Sequence, residues 1–450
     1  MINQQFDNLI QSHPAKIRDA ILFYQEELAK RDCKFGEEVI PSFLKPVFLS
    51  RDQSQEISYV LNHIVNILDK VSRLYFTHPD LREFFYINKQ AAELIDIDHG
   101  YSRNVVISRP DSFLKNGLLR FVEFNCDSPA GAGYSDVTED VLKELFPLQQ
   151  LNKSYFFPVH NRMQHLLDAL LKCYGEFSGQ NKKPNIAIVD WKEVRTLNEF
   201  RIQQAFFKDK GYDTIIADPR ELKFVDGRLE HNGFPIDLVY RRVIFRELMS
   251  HLDEVQGFID AYRAGKVCVV NPLRSRLASN KAILSIITNQ KKYKGFFTEE
   301  ENAIIKKHVP WTRRVMDIET HFEDNEIFLK KHIINHRDHL VLKPADSYGG
   351  KDVVIGLECP QDQWEALVNR IIDEKEDWVV QRYVDVTEMT IPVVNNGTVE
   401  LQQKWFNINP YTFNGKYAGS VARLSDKRVI NVSAGGGLVP VVEYSEKCLA

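Results

Sequence analysis

The chain has little of what marks an exported, membrane-spanning or nucleic-acid-binding protein. Its six cysteines (33, 126, 173, 268, 359 and 448) are scattered over 450 residues, without a Cys-x-x-Cys pair. That argues against a disulfide framework and for reduced thiols. No apolar run approaches the ~18 residues needed to cross a bilayer. The opening Met-Ile-Asn-Gln-Gln-Phe-Asp lacks the basic and apolar blocks of an export signal. A cytoplasmic location is therefore expected. Charge of one sign is also scarce: 58 basic against 62 acidic residues leave a net −4. Nucleic acid and membranes are not expected as partners, because both call for clustered positive charge. No repeat or low-complexity stretch is visible.

What the chain does have is ordinary globular composition, 44% hydrophobic and 27% charged, over a length suited to roughly two to four folding units. Residues 1–95 carry helical apolar stripes (Ile17, Ile21, Leu22, Tyr24, Leu28; then Ile57, Val60, Leu61, Ile64, Ile67, Leu68), predicting a packed helical region. Residues 96–183 turn to strands and then back to helices. Leu118–Asn125 alternates, and Lys115-Asn116-Gly117 before it reads as a turn. The helix after the loop at 126–133 is expected to start near Asp136 or Thr138. Residues 184–272 alternate apolar strands (185–190, 212–217, 237–240, 266–271) with helices, the pattern of a mainly parallel sheet. A hairpin turning at Asp226-Gly227 interrupts them. Residues 273–450 mix helices with antiparallel-looking strands, among them 339–344 and 378–384.

Several constellations on these elements carry chemistry. Glu123 and Asn125 stand at i and i+2 of one strand and so share a face. The Asn-Gly turn folds the preceding strand back and brings Asp111 beside them. Two carboxylates and an amide oxygen are hard ligands of the kind that hold magnesium against phosphates. Arg109, two residues before Asp111, shares its face and suits a charge-neutralising role in phosphoryl transfer. Taken alone, the pattern equally fits a hairpin with a solvated polar face. The loop Cys126-Asp-Ser-Pro-Ala-Gly-Ala-Gly133 that follows permits close backbone approach at Gly131 and Gly133. Cys126 reads as a small buried residue more readily than as a nucleophile.

Further on, Lys343 closes an apolar strand. The segment Ser347-Tyr-Gly-Gly-Lys351 and Val353-Val-Ile-Gly356 follow, a strand–loop–strand able to lay backbone N–H groups over phosphates. Lys281, with Ser279 or Asn280 as N-cap, opens a helix. Trp378–Val384 is a strand that could offer an edge to adenine. Three other features weigh less. His332, His336 and His339 have helical spacing but no acidic or cysteine partners for zinc. Arg241-Arg242 ends a strand and reads either as a substrate or phosphate site or as solvated charge. The triple glycine 435–437 lacks the Lys-Ser/Thr of a P-loop.

Together and in this order, the segments resemble the circularly permuted ATP-grasp proteins related to glutathionylspermidine synthetase. Arg109-x-Asp111 and Val122-Glu-Phe-Asn-Cys-Asp-Ser-Pro129 are similar to that family's metal and phosphoryl-transfer segment, and Asn280-Lys-Ala-Ile-Leu284 and Val341-Leu-Lys-Pro344 to its two lysine segments. The metal ligands precede the lysines, as in the permuted group. The resemblance implies an α/β (α+β) fold: a permuted ATP-grasp with an N-terminal helical region at 1–95 and a parallel-sheet pre-ATP-grasp domain at 184–272. The metal-ligand segment with its connecting helices would occupy 96–183, and the nucleotide-binding lobes 273–450.

It further implies ATP and Mg2+ as cofactors, with the ion on Asp111, Glu123 and Asn125 and with Arg109 catalytic. ATP would be held by Lys281, Lys343, the lid residues Ser347, Gly349, Gly350 and Lys351, and the hinge Gln381, Arg382, Tyr383 and Val384. Asp127, Ser128, Arg241 and Arg242 are expected near the substrates, a small-molecule or peptide carboxylate and an amine. The implied activity is an ADP-forming ligase working through an acyl phosphate. A phosphotransferase, or an ATP-binding protein without catalysis, is the alternative. Two departures stand out: the lid reads Ser-Tyr-Gly-Gly-Lys rather than Arg-Glu-Gly, and residues 1–95 leave no room for the cysteine-dependent amidase domain of bifunctional relatives.

Overall fold

Asn-Gly pairs close the hairpins from which the largest sheet is made. The computed structural model describes residues 1–179, 182–347, 349–430 and 436–447. At Asn116-Gly117, Asn396-Gly397 and Asn414-Gly415 the asparagine has φ of 49–53° and the glycine 74–79°. This left-handed pair matches the twist of a two-residue hairpin. The first pair joins Ile107–Lys115 to Leu118–Asn125; the others join Thr387–Asn395 to Thr398–Phe413 and Thr398–Phe413 to Lys416–Ser425. Only the first of the three had been read as a turn from the sequence.

These hairpins merge into a sheet running Val47–Ser50, Gly437–Glu446, Lys416–Ser425, Thr398–Phe413, Ile107–Lys115, Leu118–Asn125. Val47–Ser50 pairs in parallel with Gly437–Glu446, so the N-terminal region contributes a strand as well as the expected helices. A Cβ on Gly437 would come within 2.5 Å of Phe43 and of the Pro41 carbonyl. This glycine therefore serves chain packing; Gly435 of the same triplet lies outside the described residues. The long helix Arg51–Leu74 begins on a capping box in which Ser50 and Gln53 bond each other's backbone.

The parallel sheet has the order Cys268–Val270, Leu238–Arg241, Ile186–Val189, Thr214–Ala217. Alternate residues enter two different cores: Ala187, Val189, Val239 and Val269 pack on one face, and Ile186, Ile188, Leu238 and Val270 on the other. Burial on both faces explains the unbroken apolar runs. Asn271, at the end of this sheet, ties it to the first hairpin. Its Oδ1 accepts from Ile107 N–H at 2.8 Å, and its Nδ2 donates to the Ile107 and Cys126 carbonyls, both at 2.8 Å.

A third, antiparallel sheet has the order Thr312–Arg314, Trp378–Arg382, Leu340–Pro344, Val354–Ile355. Its core holds Leu342, Val380, Trp364 and Trp378. The expected strand–loop–strand is present, with Val341 opposite Ile355; Tyr348 in its loop lies outside the described residues. Among the described residues no helix is long and apolar enough to cross a membrane.

Candidate active site

The first hairpin sets the site. Arg109 pairs with Asn125 and Asp111 with Glu123, and a bulge follows between Asp111 and Ser112. The turn thus brings both carboxylates and the amide together on one patch. Asn125 Nδ2 donates to Asp111 Oδ1 at 3.0 Å and to the Arg109 carbonyl at 3.2 Å. The amide oxygen is left for another partner.

Facing this hairpin across a cavity of about 300 Å3 is the antiparallel sheet with Lys343. Asp111, Glu123, Asn125, Arg109, Lys343 and Gln381 all border that cavity, as do Ser347, Gly349, Gly350, Arg382, Tyr383 and Val384. Lys281 is not among the residues that border the cavity; it is buried at the start of the helix Ala282–Ile287, whose first N–H is bonded by Asn280 Oδ1 at 2.8 Å. Its Nζ lies 2.9 Å from Glu123 Oε1 and donates to the Ser347 carbonyl, while its N–H bonds the Ala345 carbonyl. One lysine therefore links the hairpin carboxylate to the glycine loop.

Lys343 is buried without an ion-pair partner among the described residues. Its Nζ donates to Gln381 Oε1 at 2.7 Å and to the Val122 carbonyl at 3.1 Å. Burial pushes its pKa down to about 8, partly countered by the negative charge of Glu123. Gln381 is fixed in turn by its Nε2 bond to Thr312 Oγ1 at 3.0 Å. Its side chain orients the lysine. The apolar end of the cavity is formed by Val341, Ile355, Val384 and Ile430.

A cation that faces the hairpin carboxylates is not among the residues expected from the sequence. Arg423 is ion-paired with Asp111 and also donates to Asn409 Oδ1 at 3.1 Å and Asn407 Oδ1 at 3.3 Å. Asn407 and Asn409 stand at i and i+2 of a strand otherwise apolar in its second half, and Arg423 is registered opposite Asn407. That alternation of polar residues in a buried run was the available signal. Arg109 donates from Nη1 to the Ala130 carbonyl at 2.8 Å, and its buried Nε has no hydrogen-bond partner among the described residues.

Other expected residues turn out to hold the framework. Arg241 is fully buried and donates to Asp127 Oδ1 at 2.5 Å, to Ser275 Oγ and to the Asn271 and Val243 carbonyls. The second oxygen of Asp127 accepts the Phe245 N–H at 2.7 Å. Arg242 stacks on Phe200 and Tyr240 and bonds the Pro129 carbonyl, and the Ser128 hydroxyl bonds the Arg242 carbonyl. Neither arginine borders the cavity; both are consumed in joining the parallel sheet to the loop at 126–130. Asp127 and Ser128 do border it, with their polar atoms engaged as described. Lys351 does not border this cavity; it borders a different hollow, together with Arg370 and Glu376.

The loop at 126–133 also differs from expectation. Its helix starts at Ala132, four to six residues before the expected Asp136 or Thr138, with Gly131 at φ +102°. A carboxylate from the parallel-sheet unit makes that start possible: Glu199 Oε1 accepts the Gly131 N–H at 2.7 Å and the Gly133 N–H at 3.2 Å. A Cβ on Gly131 would lie 2.7 Å from the Tyr411 hydroxyl, so the glycine makes room for protein. Cys126 is wholly buried and burial raises its thiol pKa, against a nucleophilic role. His332 and His336 stack at 4.2 Å between ring centres, and burial lowers the His332 pKa to about 4.

Residues 113–425 match the family model described as circularly permuted ATP-grasp type 2. An uncharacterized protein of Mycobacterium tuberculosis is 24% identical over 347 residues, which cover 71% of this chain and 57% of that protein. The chain thus spans little more than half the length of the curated relatives it matches. A Frankia alni protein described as a candidate glutamate–cysteine ligase is 24% identical over 176 residues, 38% of this chain and 18% of its own length. Among solved structures, an apo glutathione synthetase-like effector from Globodera pallida superposes with a TM-score of 0.62. It covers 95% of this chain and 97% of its own at 12% identity, a likeness of fold alone. Together with the order of the motifs, the match over more than half the chain settles the family: this protein belongs to the circularly permuted ATP-grasp type 2 family.

Proposed function

We propose that the protein is an ATP- and magnesium-dependent carboxylate–amine ligase that forms an acyl phosphate and releases ADP. The observation that carries this reading is the meeting of Asp111, Glu123 and Asn125 with Lys343 across one cavity, with Lys281 joined to two residues of its wall, Glu123 and Ser347. The Frankia relative's description as a ligase supports the reaction class.

The residues fit a magnesium ion. The donors are all oxygen, the set that hard cations prefer, and the carboxylates are balanced by Arg423 and Lys281. When bound, the ion supplies neutralising charge at the phosphate oxygens. Asp111, Glu123 and Asn125 would hold it.

The chain's own residues do the rest. Val341, Ile355 and Val384 enclose the base, with backbone at 382–384 along its edge. Lys343, held by Gln381, places a fixed positive charge along the phosphates. Lys281 exchanges Glu123 for a phosphate oxygen while its contact with the Ser347 carbonyl keeps the glycine loop near. Arg109 lies on the hairpin face beside Asp111 and stabilises charge on the transferred group. A substrate carboxylate oxygen attacks the γ-phosphorus, and the bond to the β-phosphate bridging oxygen breaks, leaving ADP. The amine nitrogen then bonds to the acyl carbon. Phosphate departs with the C–O electron pair, and the surplus proton of the nitrogen passes to phosphate or solvent. Closure of the loop keeps water from the acyl phosphate.

The test is a screen of amino acids, peptides and polyamines for substrate-stimulated ADP release, with mass spectrometry of the product. An amide and stoichiometric phosphate are expected. A phosphorylated product lacking an amide would overturn the ligase reading in favour of a phosphotransferase. Tight ATP binding without turnover across the panel would overturn it in favour of a non-catalytic nucleotide-binding protein.

A further inference from the structure

A second hollow adjoins the first and shares two wall residues with it. It has a volume of about 350 Å3 and lies between residues 85–95, the helix Phe245–Ser250 and the segment 276–280. Arg276 and Asp346 border both hollows, and they are ion-paired at 2.5 Å with the arginine largely buried. This pair is a partition between the two spaces. It stands next to the loop whose Ser347 carbonyl binds Lys281.

The charges on the second hollow say what it suits. Its two carboxylates are already paired, Asp346 with Arg276 and Asp377 with Arg314 at 2.6 Å. Arg246 is different. It is exposed on this wall, and among the described residues its guanidinium makes one hydrogen bond, to the Asp346 carbonyl at 2.9 Å, and has no carboxylate partner. A guanidinium with most of its donors unused matches a carboxylate in two-point geometry. Tyr86, Ile87 and Met249 give the space an apolar side, opposite polar wall residues that include Asn88, Gln90 and Asn280. Tyr86 has φ +47°, a backbone state that a bulky residue rarely adopts, and its ring covers the Arg314 guanidinium at 3.7 Å. Strain of that kind gathers at binding sites. The volume is at the lower end of small-ligand pockets.

We infer that this hollow is the acceptor site of the ligase, and that its amine substrate is an amino acid with an apolar side chain. The inference rests on the ligase reading above for the word acceptor. The carboxylate pairs with Arg246, the side chain lies against Ile87 and Met249, and the amino group faces the Arg276–Asp346 pair, which parts to let it reach the acyl phosphate in the first cavity. A polyamine does not match, since neither carboxylate on the wall is unpaired.

The experiment measures binding without turnover. The full chain, saturated with magnesium and a non-hydrolysable ATP analogue, is titrated by calorimetry with leucine, phenylalanine, methionine, glutamate and spermidine. An apolar amino acid is expected to bind and spermidine not. Arg246→Ala should weaken that binding at least ten-fold and Met249→Trp, which fills the space, should abolish it. Both variants should bind the ATP analogue as the parent does, which also shows that they fold. Binding of spermidine in preference, no amino-acid binding, or binding indifferent to both variants overturns the assignment. Because no ADP is formed here, failure of the ligase reading shows separately, in the turnover screen.

Discussion

Lys343 Nζ is 2.7 Å from Gln381 Oε1, a neutral partner, in a buried setting where no carboxylate of the described residues pairs with it. A buried ammonium without an acid is costly in the empty protein and useful once phosphate arrives. Its pKa of about 8 lies below the ordinary value of 10.5. Nucleotide affinity should therefore fall as pH rises through about 8, where the charge is lost. The stability of the empty protein should move the opposite way. Between about 8 and 10.5 the unfolded chain binds the extra proton, so stability rises with pH across that window. Below it the full burden remains, on the order of 3 kcal/mol. Lys343→Met should accordingly bind ATP at least ten-fold more weakly and melt higher at neutral pH. Calorimetric titration and thermal unfolding from pH 6.5 to 10 check both; a flat pair of profiles would remove Lys343 from the phosphate site.

Arg109 donates one hydrogen bond to the Ala130 carbonyl and keeps a buried Nε without a partner among the described residues. Its side chain borders the cavity beside Asp111. Arg109→Ala should leave ATP affinity within a few-fold and lower kcat by about 10^3, the scale for an arginine on a transferring phosphoryl group. Arg109→Lys should recover little, since a point charge does not reproduce a fork of donors. Steady-state ADP release beside equilibrium nucleotide binding tests this, and full turnover by Arg109→Ala would refute the assigned role.

Arg241 looked like a substrate ligand in the sequence because it ends a parallel strand, where open sheets place their ligands. Its guanidinium instead spans Asp127, Ser275 and the carbonyls at 243 and 271. Arg241→Met would strand a buried carboxylate at Asp127, at about 3–5 kcal/mol. A lower melting temperature with substrate KM unchanged in the folded fraction is expected. A raised KM with unaltered stability would restore the substrate role.

Local chemistry was what the sequence made legible. The i, i+2 placement of Glu123 and Asn125, the Asn116-Gly117 turn and the apolar strand leading to Lys343 each follow from short-range rules, and their order revealed the permutation. Contacts across distant segments were not legible. Arg423 reaches Asp111 from 312 residues away along the chain, and no spacing rule links the two. The early start of the helix at Ala132 was hidden for the same reason: its leading N–H groups are capped by Glu199, from a different unit. Val47–Ser50 was lost among helices because a four-residue strand that joins the far end of the chain has too little periodicity of its own.

Glu199 links these observations to catalysis. It is fully buried, its pKa is raised by burial against the pull of Arg242, and Oε2 has no hydrogen-bond partner among the described residues. Oε1 holds the N–H groups of Gly131 and Gly133, and the carbonyl just before them, on Ala130, fixes Arg109. Releasing this clamp should let Arg109 drift, and misplacement by about 1 Å costs on the order of 10^2 in rate. Glu199→Ala is thus expected to lower kcat strongly with the KM for ATP nearly unchanged, because Lys281 and Lys343 are held independently. Glu199→Gln keeps an acceptor oxygen for both N–H groups and should recover most of the rate. If Gln and Ala variants lose activity equally, or if both lose it in step with stability, the carboxylate acts through the fold as a whole and not through the placement of Arg109.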